Sequence, residues 1–70
     1  MPNAIELIVD GYVRLNNRRA LDDLRTQRRK LAVDLKARTG FDFRTTVQQI
    51  EEDIAVIEAG LARLDGAAAS

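Results

Sequence analysis

Hydrophobic positions recur along this chain at helical spacing. Between residues 43 and 64 they are Phe43, Val47, Ile50, Ile54, Ile57, Leu61 and Leu64, in steps of four and three. That is the heptad seam of an amphipathic helix with one buried side, and it predicts a helix over about 45–65. Thr45 with Gln48, or Thr46 with Gln49, forms a capping pair at its start, and Asp42 is a third candidate cap. Glu51, Glu52 and Asp53 follow early, where carboxylates suit the positive helix end. Gly60 lies inside the helix at a cost of about 1 kcal/mol against alanine, and reads as a close-packing or merely tolerated position. Gly66 is the expected stop, which leaves 67–70 as a disordered tail.

A second stripe comprises Leu21, Leu24, Arg28, Leu31 and Leu35, again in steps of three and four, with an arginine in one core place. Its helix should end with Lys36 and Arg38 in the last turn and Gly40 as a left-handed cap. Upstream, Ile5, Ile8, Tyr12 and Leu15 form another stripe. At ~100° per residue it points well over 90° away from the later one. The helix therefore bends or breaks near Asn16 and Asn17, with Asn17 capping a new helix from Arg18, or the first segment faces a different neighbour. Nothing in the local sequence forbids continuity, so a single helix over about 4–38 is the preferred expectation.

A short connection between two amphipathic helices makes them antiparallel neighbours. Pairing core residues whose numbers sum to 85 gives the layers Leu35/Ile50, Leu31/Ile54, Arg28/Ile57, Leu24/Leu61 and Leu21/Leu64. The expected fold is all-α: one antiparallel helical-hairpin domain over 1–66. A continuous first helix would project some 20 Å beyond its partner at ~1.5 Å per residue. That overhang carries Leu7 and, as candidate interface positions, Ile5, Ile8, Val9, Tyr12, Val13 and Leu15. Two hairpins related by a two-fold axis would cover it as a four-helix-bundle homodimer, which makes these six residues the candidate dimer or partner interface. The alternatives are docking on another protein, and folding back of residues 4–15 as a separate short helix. This architecture is similar to small dimeric helical hairpins in general, RNA-binding plasmid copy-control proteins among them; that likeness is one of fold class and transfers no function.

Charge sharpens the picture. The 70 residues hold eleven basic and eleven acidic side chains, but they are unevenly placed. Residues 14–44 carry ten basic and four acidic groups, whereas 45–70 carry one arginine and five acids. In the antiparallel register Arg25 should approach Glu58, and Arg18 should approach Asp65. The basic run "RTQRRK" is then mostly a salt-bridged helix face, and Arg28 should snorkel to Glu51, Glu58 or solvent. The alternative is a nucleic-acid contact through Arg14, Arg18, Arg25, Arg29 and Lys36, which share a face of the first helix.

The chain has no cysteine and no histidine. Disulfides, thiolate nucleophiles, imidazole bases and the ordinary zinc ligands are thereby excluded. A chain this short usually needs a staple, and oligomerisation is the device left. The consecutive acids Glu51, Glu52 and Asp53 fan around their helix and read as solvating charge, not as a metal site. Ser70 and the threonines lack a histidine base, and no glycine-rich phosphate loop is present. No enzyme activity, cofactor or metal is expected. Phe41 and Phe43 could stack on bases, but closing the open end of the hairpin core is the favoured role. No 18-residue apolar run marks a membrane span, and "IELIVDGYV" lacks the basic flank of a signal peptide. A cytoplasmic homodimer acting through protein–protein contact is the leading expectation, with nucleic acid the less favoured partner.

Overall fold

The computed structural model describes residues 3–38 and 42–69, with side chains through residue 66. Three helices make up the described chain: α1 (Ala4–Arg14), α2 (Arg18–Ala37) and α3 (Arg44–Ala69). No strand is present among the described residues, so the all-α class is established.

The expected single helix over 4–38 is broken, and the break is built from two asparagines. Asn16 takes φ 54°, the left-handed conformation that asparagine tolerates better than most residues. The Asn16 backbone N–H donates to the Val13 carbonyl at 3.0 Å, and the Asn17 N–H donates to that of Tyr12 at 2.9 Å. These are the paired bonds of a Schellman stop, with asparagine where glycine is usual. Asn17 then opens the next helix, its side-chain oxygen accepting from the Ala20 N–H at 3.1 Å. Asn3 caps α1 in the same way through Glu6 N–H. All three asparagines of the chain thus serve helix ends. The mismatch of the two apolar stripes supplies the reason: one straight helix could not turn both toward a single core.

Folding back at residues 15–17 lays α1 on α3, which realises the third of the alternatives above. Val9 and Val13 sit over Gly60, and Asp10 meets Arg63 at 3.4 Å. The numbers rise together, so α1 runs parallel to α3. Between α2 and α3 the ion pairs are Arg18–Asp65, Arg29–Glu58 and Lys36–Glu51. Here the numbers run in opposite directions and sum to 83, 87 and 87, bracketing the expected 85, so α2 and α3 are antiparallel.

The core gathers Ile5, Val9, Leu21, Ile57, Leu61 and Leu64, with Tyr12, Val13, Leu24 and Val56 packed against it. Leu21 and Ile57 are fully enclosed, each contributing roughly 1.5–3 kcal/mol of burial. The expected Leu31/Ile54 layer does not close. Leu31 stays 43% exposed and Ala32 takes the buried place. The third helix explains the shift, because α2 must divide its apolar arc between α3 and α1. Leu31 lies on the α1 side, while α1 is only about 16 Å long at 1.5 Å per residue.

Of the three candidate caps at the start of α3, Asp42 is the one engaged, its carboxylate accepting from the Arg44 backbone N–H at 3.1 Å. At the other end α3 continues through Gly66 to Ala69. The alanines that follow have the highest helix propensity and offset one glycine of about 1 kcal/mol. Gly40 and Phe41, expected as cap and core closure, lie outside the described residues, as does Ser70.

Candidate protein-interaction surface

Neighbouring acids occupy the basic face. Arg14 meets Asp10 at 3.0 Å, Arg25 meets Asp22 at 3.1 Å, Arg29 meets Glu58 at 3.2 Å and Lys36 meets Glu51 at 2.7 Å. Arg18 is paired with Asp65 as expected, and that contact holds its guanidinium above the ordinary arginine range. The expected Arg25–Glu58 pair does not form. Arg29 takes Glu58, one turn further along α2, and Arg25 turns to Asp22 in its own helix. Each of the five candidate nucleic-acid contacts therefore has a carboxylate within 4 Å. Such exposed pairs contribute only ~0–1 kcal/mol each, so their main effect is to select register. Arg19 and Lys30 have no ion-pair partner among the described residues.

Arg28, the charged member of the leucine stripe, leans to Asp53 at 3.8 Å. It chooses neither Glu51 nor Glu58, because it leaves the α2–α3 interface on the α1 side. There Arg28 and Asp53 line a cleft with Ile5 and Ile8.

At the far end of α2 and α3 a cleft of about 560 Å³ is lined by Leu35, Phe43 and Val47, with Lys36, Arg38 and Glu51 at its edges. Its charges are internally matched: Lys36 to Glu51, and Arg38 to Asp34 at 3.0 Å. Arg44 is paired with Asp42 at 3.0 Å, and this contact, with the Arg44 backbone N–H, lowers the carboxyl below its usual range. Phe43 is half-buried and lines this cleft. Among the described residues no cluster of acids is placed to hold a metal ion, and no helix is long and apolar enough to cross a membrane.

The six residues expected at an interface divide into two groups. Ile5 and Val9 are buried in the chain's own core, and Tyr12 and Val13 pack against it. The fold-back therefore consumes most of the apolar overhang that a partner was expected to cover. Ile8 and Leu15 remain 47% and 74% exposed.

Leu7 and Asp10 line a cleft with Val56, Gly60 and Arg63 of α3, so that edge of α1 faces α3. Ile8 lines a cleft with Arg28 of α2 and with Gln49 and Asp53 of α3, where the three helices meet. Packing between α1 and α2 is the sparsest of the three helix pairs. Ala4, Ile8, Gly11 and Leu15 of α1 recur in steps of four, three and four without a charge, and Ala20, Leu24, Gln27 and Leu31 of α2 do the same. Of the large apolar residues in these rows, Ile8, Leu15 and Leu31 stay exposed, whereas Leu24 packs against the core.

No family model matches the chain, and comparison with curated proteins and with solved structures finds nothing similar to it.

Proposed function

We propose that this chain is a small non-enzymatic helical protein that acts by protein–protein interaction and functions as a homodimer, with α1 and α2 of both copies forming a four-helix layer. The observation that carries this reading is the apolar surface left on α1 and α2, where Ile8, Leu15 and Leu31 stay exposed after the core has formed. Exposed apolar surface on a small domain is a candidate binding surface.

Nucleic-acid binding has less support. Phosphates would have to displace the carboxylates that already neutralise Arg14, Arg18, Arg25, Arg29 and Lys36. Light scattering on the purified chain tests the reading. The expected mass is twice the 7.8 kDa of one chain, and a monomer at high micromolar concentration would overturn the homodimer. Tight RNA or DNA binding that weakens steeply as salt rises would favour the alternative.

A further inference from the structure

We infer that α1 is exchangeable between copies: residues 15–17 straighten, α1 and α2 join as one helix, and α1 takes the place on α3 of a second chain that it otherwise holds on its own. This goes beyond the homodimer reading above, because it concerns how α1 is held whether or not the parent chain is dimeric at rest.

Two features of the junction work against the break. Asn16 sits at φ 54°, a conformation that asparagine tolerates and only glycine adopts freely. Arg18 and Arg19 open α2, and its first turn holds no acid, so positive charge stands at the positive end of the helix dipole. Joining the helices removes both penalties. The first-turn N–H groups of Arg18 and Arg19, which have no intrahelical acceptor in α2, then reach the carbonyls of Arg14 and Leu15. No proline or glycine lies between residues 12 and 37 to interrupt the joined helix. Against these gains stand the two backbone bonds donated by Asn16 and Asn17, the Asn17 cap, and a like-charge pair, Arg14 with Arg18, four residues apart. The balance at the junction is therefore close, and the docking of α1 decides the outcome.

That docking does not require the chain's own α3. Packing of α1 is sparser on α2 than on α3. Its anchors are Ile5 and Val9 in the core with Ile57, Leu61 and Leu64, Val9 over Gly60, and Asp10 on Arg63. An α1 from another chain can make each of these contacts. The directions agree as well. In the chain α1 is parallel to α3 and α2 is antiparallel to it, so α1 and α2 are antiparallel. Two joined helices of about 50 Å, at ~1.5 Å per residue, can lie antiparallel about a two-fold axis near residue 16. Each α1 then meets the α2 and α3 of the other copy in its native direction. A lone open chain would uncover Ile57 and Leu61, which are buried in the closed one, so a second copy completes the opening. Exchange of an identical element is a low-cost route to a dimer because it reuses contacts that already exist, and a short strained hinge favours it.

The chain has no cysteine, so one introduced pair reports which chain supplies α1. Val9→Cys with Gly60→Cys places two thiols where α1 and α3 touch. Oxidation with copper phenanthroline and a non-reducing denaturing gel then separate a link within one chain from a link between two. The pair is read in the parent, in Asn16→Gly and in Asn16→Ala/Asn17→Ala, each unfolded and refolded at high micromolar concentration. Exchange predicts links between chains in the double-alanine variant, and a dimerisation constant by sedimentation equilibrium at least tenfold above that of Asn16→Gly, since each dimer contains two junctions. A monomeric parent with an internal link, beside a double-alanine variant linked between chains, defeats the homodimer reading and supports exchange. A dimer whose link stays internal leaves the homodimer standing and overturns exchange. A double-alanine variant that stays monomeric, or that dimerises no better than Asn16→Gly, overturns it too. If the cysteine pair lowers helix content by circular dichroism, Asp10→Cys with Arg63→Cys, bridged by a flexible bis-maleimide, gives the same readout.

Discussion

Gly60→Ala is the sharpest probe of how α1 is held. In an unobstructed helix the substitution stabilises by about 1 kcal/mol. Here the new methyl would overlap Val9 Cγ1 and approach Val13 Cγ2 to 3.4 Å. Val9 cannot swing aside, because a β-branched side chain has one strongly preferred rotamer in a helix. The strain must then move α1 as a body, loosening Ile5 and Val9 over Ile57 and Leu21. Overpacking of this kind costs roughly 1–3 kcal/mol. Toward the upper end of that range it outweighs the propensity gain and leaves a net loss of about 1–2 kcal/mol. For a domain of this size the melting temperature should fall by roughly 4–16 °C.

The assay is thermal and urea unfolding at one fixed protein concentration, since association would shift the midpoint by mass action. Two companions give the result its meaning. Gly66→Ala, where an added Cβ meets nothing within 4 Å, should be neutral or stabilising. Val9→Ala combined with Gly60→Ala should be more stable than the two single losses predict, by about 1 kcal/mol or more of coupling. A Gly60→Ala variant that melts higher than the parent would refute the docking of α1 on α3 through this glycine.

Two further predictions concern the helix junctions. Asn17→Ala removes the side-chain cap of α2 and should cost about 1 kcal/mol, whereas Asn16→Gly relieves the left-handed residue and should be neutral or slightly stabilising; equal losses at both positions by urea unfolding would contradict the two-asparagine junction. At the start of α3 the Arg44 guanidinium and backbone N–H hold the Asp42 carboxyl below the ordinary aspartate range. A lowered native pKa means that the ionised form is the one stabilised by folding. The contribution is therefore present above the unfolded-state value near 3.9 and is lost as pH falls through the lower native value. An NMR titration should place the Asp42 midpoint below that of an unpaired aspartate, and Arg44→Gln should move it back upward; no movement would remove the pair from solution.

The sequence by itself determined that the chain is helical, where α3 lies, and the register of α2 on α3 to within a residue or two. Those features follow from the spacing of Val47, Ile50, Ile54, Ile57, Leu61 and Leu64 and from opposite charges on facing flanks, both local or nearly local signals. At Asn16 and Asn17 it offered both a continuous helix and a break, and the preferred continuous helix was the wrong one. Asparagine is compatible with a helix interior at modest cost and with a left-handed stop, and no local term separates the two decisively. Tertiary structure made that choice, because only the docking of Val9 on Gly60 rewards α1 for turning back. That same choice buried Ile5 and Val9, rotated α2 so that Ala32 replaced Leu31 in the core, and moved Glu58 from Arg25 to Arg29. It also left Ile8, Leu15 and Leu31 exposed. Which apolar side chains stay outside is not written in the pattern of any one helix; it is decided only when a third helix fixes the angle at which the other two meet.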